Sequence, residues 1–190
     1  MESIKNAQLF ESYKMGNLFL KNKFLMAPMT RSRADEKGEV PNELMARYYG
    51  QRASAGIIIT EASQVSKQGM GYARTPGIYT QAQIEGWKKV TKAVHEKGGK
   101  IFLQLWHVGR VSSSKVNGLQ PIAPSAILAK ETQVYIFDGA PNGDATFVPV
   151  EVPREMSTLD IKQVVDEFRI GAKNAILAGF DGVEIHGANG

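Results

Sequence analysis

Four short apolar runs, spaced by segments of helical period, constrain this chain more than any other feature. Phe24-Leu25-Met26-Ala27-Pro28-Met29, Ile57-Ile58-Ile59-Thr60, Ile101-Phe102-Leu103-Gln104-Leu105-Trp106 and the stretch that opens at Gly182 are too short for buried helices. They also lack the strict in–out alternation of a strand wetted on one face. Near-continuous apolar strands belong to parallel sheets covered on both sides. Between them, Asn42 to Ala55 predicts a helix with Leu44, Met45 and Tyr48 on one side. Thr80, with Gln83 at the capping-box position, starts another that carries Ile84, Trp87, Val90 and Val94 and stops at Gly98-Gly99. Ser157, with Asp160 three residues on, caps a third, whose stripe is Ile161, Val164, Val165, Phe168, Ala172, Ala175 and Ile176. The order strand-helix-strand-helix-strand-helix-strand predicts an α/β fold with a parallel sheet and right-handed crossovers. Four such strands suit a small open sheet or the first half of a (β/α)₈ barrel.

Two segments break the rhythm. Tyr13 to Leu20, with Gly16-Asn17 in the middle, predicts a small hairpin, and His107 to Met156 is a long excursion after the third strand. Within the excursion, Gln133 to Phe137 and Ala145 to Val150 flank a turn-rich Asp138 to Gly143 and predict a second hairpin. Gly69-Met70-Gly71-Tyr72 reads as a mobile loop. No interdomain linker interrupts residues 1–190, so a single domain is expected.

Composition removes several functions. The net charge of +4 comes from scattered pairs (Arg31/Arg33, Lys88/Lys89, Lys97/Lys100), not from a basic stripe, which argues against a nucleic-acid partner. There are no cysteines, so disulfides, thiolate nucleophiles and Cys-ligated zinc are excluded; a reducing cytoplasm suits such a chain. Met1 to Asn6 has no apolar signal core, and no apolar run approaches the roughly 18 residues of a membrane span. No Gly-x-Gly-x-x-Gly follows a strand. His107, Glu184 and His186 lack metal-ligand spacing, so no metal is expected, and His95 reads as a surface residue at a helix C-terminus.

Polar residues in apolar strands carry the functional signal. Gln104 sits inside the third strand. Thr30 follows the first, Thr60 and Glu61 end the second, and Gly182 to Gly190 brings Glu184, His186 and Asn189 to the tip of the fourth. In parallel α/β folds the C-terminal strand ends are where ligands bind. Taken singly, Thr30 could cap a turn, Gln104 could satisfy a neighbouring main-chain group, and His186 could be a hydrogen-bonded core histidine. Glu61 and Glu184 also fit a buried network with an Arg or Lys.

Five motifs go further. Ala27-Pro28-Met29-Thr30-Arg31-Ser32-Arg33, Tyr48-Tyr49-Gly50-Gln51-Arg52-Ala53, Thr60-Glu61-Ala62, Gln104-Leu105-Trp106-His107-Val108-Gly109-Arg110 and Gly179 to Gly190 resemble, in this order, the Old Yellow Enzyme family. Within it, the bacterial N-ethylmaleimide reductases and plant 12-oxophytodienoate reductases look most similar. The resemblance implies an FMN-dependent (β/α)₈ barrel, the TIM barrel, that reduces the C=C bond of α,β-unsaturated carbonyl compounds, with NADPH or NADH as reductant. It implies that Pro28, Met29, Thr30, Ala62 and Gln104 face the flavin ring. His186 would serve the flavin site and, with Asn189, hold the substrate carbonyl oxygen, and Trp106 would wall the pocket.

The family's pattern continues past Gly190 with a Tyr that protonates the substrate, later strands five to eight, phosphate-binding loops and a flavin-bonding Arg. The expectation is therefore a truncated half-barrel of about four β/α units. Its alternative behaviour is an inactive half-barrel that folds or self-associates without retaining FMN. Open sheet edges and an exposed inner face favour self-association.

Overall fold

The structure, a computed structural model, describes residues 7–137 and 145–188. A helical turn, α1 (Ala7–Phe10), precedes the antiparallel hairpin β1 (Tyr13–Met15) and β2 (Leu18–Leu20), which turns at Gly16 with φ +58°. Next come β3 (Leu25–Met26), α2 (Glu43–Gly50), β4 (Ile57–Ile59), β5 (Ser63–Gln64), α3 (Gln81–His95) and β6 (Ile101–Trp106). The excursion holds α4 (Ser114–Asn117), β7 (Ile122–Ala123), β8 (Gln133–Phe137), β9 (Ala145–Pro149) and β10 (Arg154–Glu155). The long helix α5 (Thr158–Leu177) then leads into β11 (Gly182–Ile185).

The main sheet runs β11-β6-β4-β3, with β5 extending the ladder along β6 beyond the end of β4. All its pairings are parallel, in the register Leu25↔Ile57, Ile58↔Ile101 and Glu184↔Gln104. The first strand is shorter than its apolar run because Pro28 has no N–H to give a ladder. Ile58, Ile101, Leu103, Leu105 and Val183 face the helices, where Met45, Ala46 and Tyr49 of α2 and Trp87, Val90 and Val94 of α3 complete the core. Trp87 is fully buried and donates from Nε1 to the Gly77 carbonyl at 3.0 Å, with Phe180 edge-on at 5.2 Å. On the other face Phe102 lies under Gly182, where a Cβ would come within 2.6 Å of its ring.

Both capping boxes form, at Thr80/Gln83 and at Ser157/Asp160. The second is strengthened by Arg154, whose guanidinium reaches both Asp160 oxygens at 2.9 Å and holds that carboxyl well below the usual range. The stripe on α5, by contrast, is only half covered. Phe168, Ala172 and Ala175 join the core, while Val165 and Ile176 stand exposed at 65% and 59%. Ile185 on the adjoining edge strand is 67% exposed.

The excursion hairpin forms as β8 and β9, paired from Gln133↔Pro149 to Phe137↔Ala145; most of its turn, 138–144, lies outside the described residues. The segment read as a mobile loop, Gly69 to Tyr72, is packed instead. A Cβ on Gly71 would approach Val108 and the Val111 carbonyl to 2.6 Å, so its glycines mark close approach and not freedom. No helix among the described residues is long and apolar enough to cross a membrane.

Candidate active site

At the C-terminal ends of the parallel strands, Pro28, Thr30, Ser32, Tyr72, Gln104, Trp106 and His186 line one cavity of about 420 Å³. This is within the size range of small-molecule sites, roughly 300–1,000 Å³. Five of the residues picked out by the sequence, Pro28, Thr30, Gln104, Trp106 and His186, therefore meet, although 158 positions separate the first from the last. Ala62 lies just behind, buried against Trp106 and Val108 with Tyr72 at the edge of the same cluster. Met29 is elsewhere: it lines a neighbouring cavity with Phe10, Phe24 and Arg52. Asn189 lies outside the described residues.

Sheet register places the polar groups. The inward-facing pair Gln104↔Glu184 brings Gln104 Nε2 to 2.6 Å from Glu184 Oε1. A carboxylate only accepts, so this contact fixes the amide: its nitrogen points to Glu184, and its oxygen has no partner among the described residues. The main-chain N–H of His186 donates to the Leu105 carbonyl at 2.9 Å, continuing the β11–β6 ladder to the imidazole. That ring stands edge-on to Trp106 at 6.1 Å, and Tyr72 stacks on the indole at 5.8 Å. Burial pushes the Tyr72 phenol above its ordinary pKa, so it faces the cavity as a neutral hydroxyl. The Trp106 Nε1 donor is buried without a partner among the described residues.

Two polar strand ends support the walls without lining the cavity. Thr60 donates from Oγ1 to the Glu61 carbonyl at 2.9 Å and accepts the Gln104 N–H at 3.3 Å. Glu61, 1% exposed, accepts from the Arg31 main-chain N–H and from the Tyr49 hydroxyl, both at 3.1 Å. Its hydrogen bonds thus come from main-chain amides and a phenol, and the Arg31 charge that the sequence suggested adds only a smaller attraction. Burial pushes the Glu61 pKa up, against the pull of the Arg31, Tyr49 and Ser32 contacts. His107, next to Trp106 in sequence, does not line the cavity; it accepts the Gly109 N–H on Nδ1 at 3.1 Å, and burial lowers its pKa. Sequence reasoning missed Tyr72 and Ser32 as lining residues. The glycines flanking Met70 were the one signal for Tyr72, and nothing local marked Ser32.

Known proteins resemble this chain along nearly its whole length. It is 46% identical over 183 residues to 12-oxophytodienoate reductase 1 of Oryza sativa subsp. japonica, covering 96% of this chain and 45% of that protein. It is 45% identical to the flavin oxidoreductase hxnT of Emericella nidulans, with 96% and 46% covered. Among solved structures, morphinone reductase in complex with tetrahydroNAD superposes with a TM-score of 0.89 at 48% identity, covering 97% of this chain and 50% of that one. The old yellow enzyme homologue of Zymomonas mobilis gives 0.88 at 45% identity. The chain spans about half the length of the relatives it matches, and its parallel α/β sheet corresponds to half of their TIM barrel. Residues 8–190 match the model of one family throughout, and the chain belongs to it: the NADH:flavin oxidoreductase / NADH oxidase family.

Proposed function

We propose that this chain carries the ring-binding and substrate-binding side of an FMN-dependent ene-reductase, which uses NADPH or NADH to reduce the C=C bond of α,β-unsaturated carbonyl compounds. The observation that carries the reading is the convergence of Thr30, Gln104 and His186, from three parallel strands of one sheet and their C-terminal ends, on a cavity walled by Trp106 and Tyr72. The lining suits a flavin ring: a flat aromatic wall, hydroxyls, an amide oriented by Glu184 and, among the described residues, no Lys or Arg side chain. When bound, FMN supplies the hydride chemistry.

The chain's own residues do the rest. Thr30 and Gln104 would hydrogen-bond the polar edge of the ring, with Glu184 holding the Gln104 amide in its orientation. Pro28 would pack on the ring, with Ala62 backing the Trp106 wall. His186, with Asn189, donates to the substrate carbonyl oxygen and stabilises the negative charge that develops there. Such oxyanion donors are worth about 2.7–4 kcal/mol each. Tyr72 and Trp106 form the walls that exclude water from the enone.

Titration of the purified chain with FMN, followed by flavin fluorescence and visible absorption, tests the reading, and NADPH oxidation with 2-cyclohexenone tests turnover. His186→Ala should weaken binding of a phenolic ligand to the flavin-loaded protein and lower enone reduction by about 10²–10³-fold. Absence of FMN binding, or a phenol affinity unchanged by His186→Ala, sinks it.

A further inference from the structure

We propose that Glu61 is a positioning residue for this site: its buried carboxyl group clamps the main chain at Arg31 and so sets where the Thr30 hydroxyl stands for a bound flavin. The inference rests on the reading above for its ligand, and on four observations for its mechanics. First, Glu61 is sealed from solvent at the end of β4, the strand beside β3 in the sheet, and its Oε2 takes the Arg31 N–H at 3.1 Å. Second, the clamp is anchored in the core. Tyr49 donates to Glu61 Oε1 at 3.1 Å and accepts the Glu61 main-chain N–H at 2.8 Å, closing a small ring, and Tyr49 is itself fully buried near Trp87. Third, the next residue, Ser32, sits at φ +51°, a conformation that a side chain with a Cβ adopts only where its surroundings impose it. Fourth, Thr30 and Ser32, either side of the clamped amide, both line the large cavity, whereas Glu61 lines a separate small one of about 160 Å³ with Arg31, Arg33 and Tyr48. Glu61 therefore acts on the site through the main chain.

The chemistry demands a carboxylate. Both partners of its oxygens are donors, and the Tyr49 oxygen already accepts from Glu61 N–H. An amide of the same volume would turn one acceptor into a donor, so either the Arg31 N–H faces a donor or the Tyr49 hydroxyl must give up donating and accept a second bond. Glu61→Gln in the full chain is thus a change of bonding with little change of shape.

Two measurements test the clamp. In the ligand-free protein, the Arg31 amide should be protected from hydrogen exchange, and Glu61→Gln should speed its exchange about tenfold. In FMN titrations, Glu61→Gln should weaken binding about tenfold and shift the visible absorption of the bound flavin, with far-UV circular dichroism unchanged. The loss should shrink to less than about threefold in a Thr30→Val background, because coupled residues are not additive. A rapidly exchanging Arg31 amide in the unaltered protein overturns the proposal, even if Glu61→Gln does not fold. So does an equal loss in both backgrounds. If the unaltered chain binds no FMN, the functional reading fails, and the exchange data still judge the clamp.

Discussion

Removing the Asp181 carboxylate should destabilise the chain by about 3 kcal/mol, mostly through a single orphaned main-chain N–H. Asp181 precedes β11 and joins it to β6: its own N–H donates to the Ile101 carbonyl at 2.9 Å, and its Oδ2 accepts the Ile101 N–H at 2.9 Å. The same oxygen meets His95 Nε2 at 2.8 Å, and Oδ1 accepts from Lys100 Nζ at 2.8 Å. Ile101 is fully buried, so Asp181→Ala leaves its amide without a partner, at about 1–3 kcal/mol. The two ion pairs have partners that are more than a third exposed, so each is discounted to about 0.2–1 kcal/mol. For a chain of this size about 3 kcal/mol lowers Tm by roughly 6–12 °C. Asp181→Asn keeps an oxygen for Ile101 and gives up only the ion pairs, about 1 kcal/mol. Burial alone would raise the Asp181 pKa, but the Lys100, His95 and Ile101 bonds outweigh it and the net shift is downward. A depressed carboxylate contributes in full above the ordinary value near 3.9, and that contribution is lost as pH falls through the folded value. Urea unfolding followed by tryptophan fluorescence, at pH 7 and through the acid limb, reads both effects, with the m-value unchanged. Equal midpoints for Asp181→Ala and Asp181→Asn would refute the reasoning, since the orphaned amide is what separates them.

His107 should give an acid limb of its own. Burial lowers its pKa, so the unfolded chain binds the proton first, and stability drains as pH falls below roughly 6.5 toward the folded value. His107→Gln should flatten that slope in urea midpoints taken from pH 7.5 to 5, and an unaltered slope rejects the assignment. Self-association is the other expectation. β11 and β3 end the parallel sheet with no further strand among the described residues, so a two-fold axis can set β11 of one copy beside β3 of a second. Val165, Ile176 and Ile185 would be covered at that seam. Light scattering should show a mass that falls toward 20.8 kDa on dilution, with Ile185→Lys shifting the balance to monomer; a monomer at every concentration refutes it.

The local signals in the sequence carried through to the elements they specify. Thr80 with Gln83 and Ser157 with Asp160 are reciprocal bonds within four residues, so the chain needs no tertiary partner to make them, and both boxes form where the residues stand. The site was legible for a related reason. A parallel sheet puts all its C-terminal strand ends on one side, so polar residues at those ends, Thr30, Gln104 and His186, must converge once the strands pair. What was not legible depends on contacts between segments far apart. Tyr72 reaches the cavity only because Gly71 lets its loop lie against Val108 and Val111, and glycines read the same whether they serve mobility or close packing.

Glu61 and the α5 stripe mark two different limits of such a reading. At Glu61 the residue type was informative and the partner was not. A buried carboxyl group must be bonded, but a main-chain amide and a phenol satisfy it as well as the Arg or Lys side chain that charge pairing suggests. On α5 the partner itself lies beyond the elements described. A stripe from Ile161 to Ile176 states that the helix has an apolar face, yet periodicity counts the residues on that face and not the surfaces that cover it. Phe168, Ala172 and Ala175 join the core because α5 packs beside β6 and β11, whereas Val165 and Ile176 are left exposed. The relatives are about twice as long, and the superposition covers half of their barrel. The uncovered half of the stripe is therefore what this fold leaves wherever four of its units stand beside an open edge. Its exposure follows from topology, since a cylinder of strands has no edge and any part of one has two.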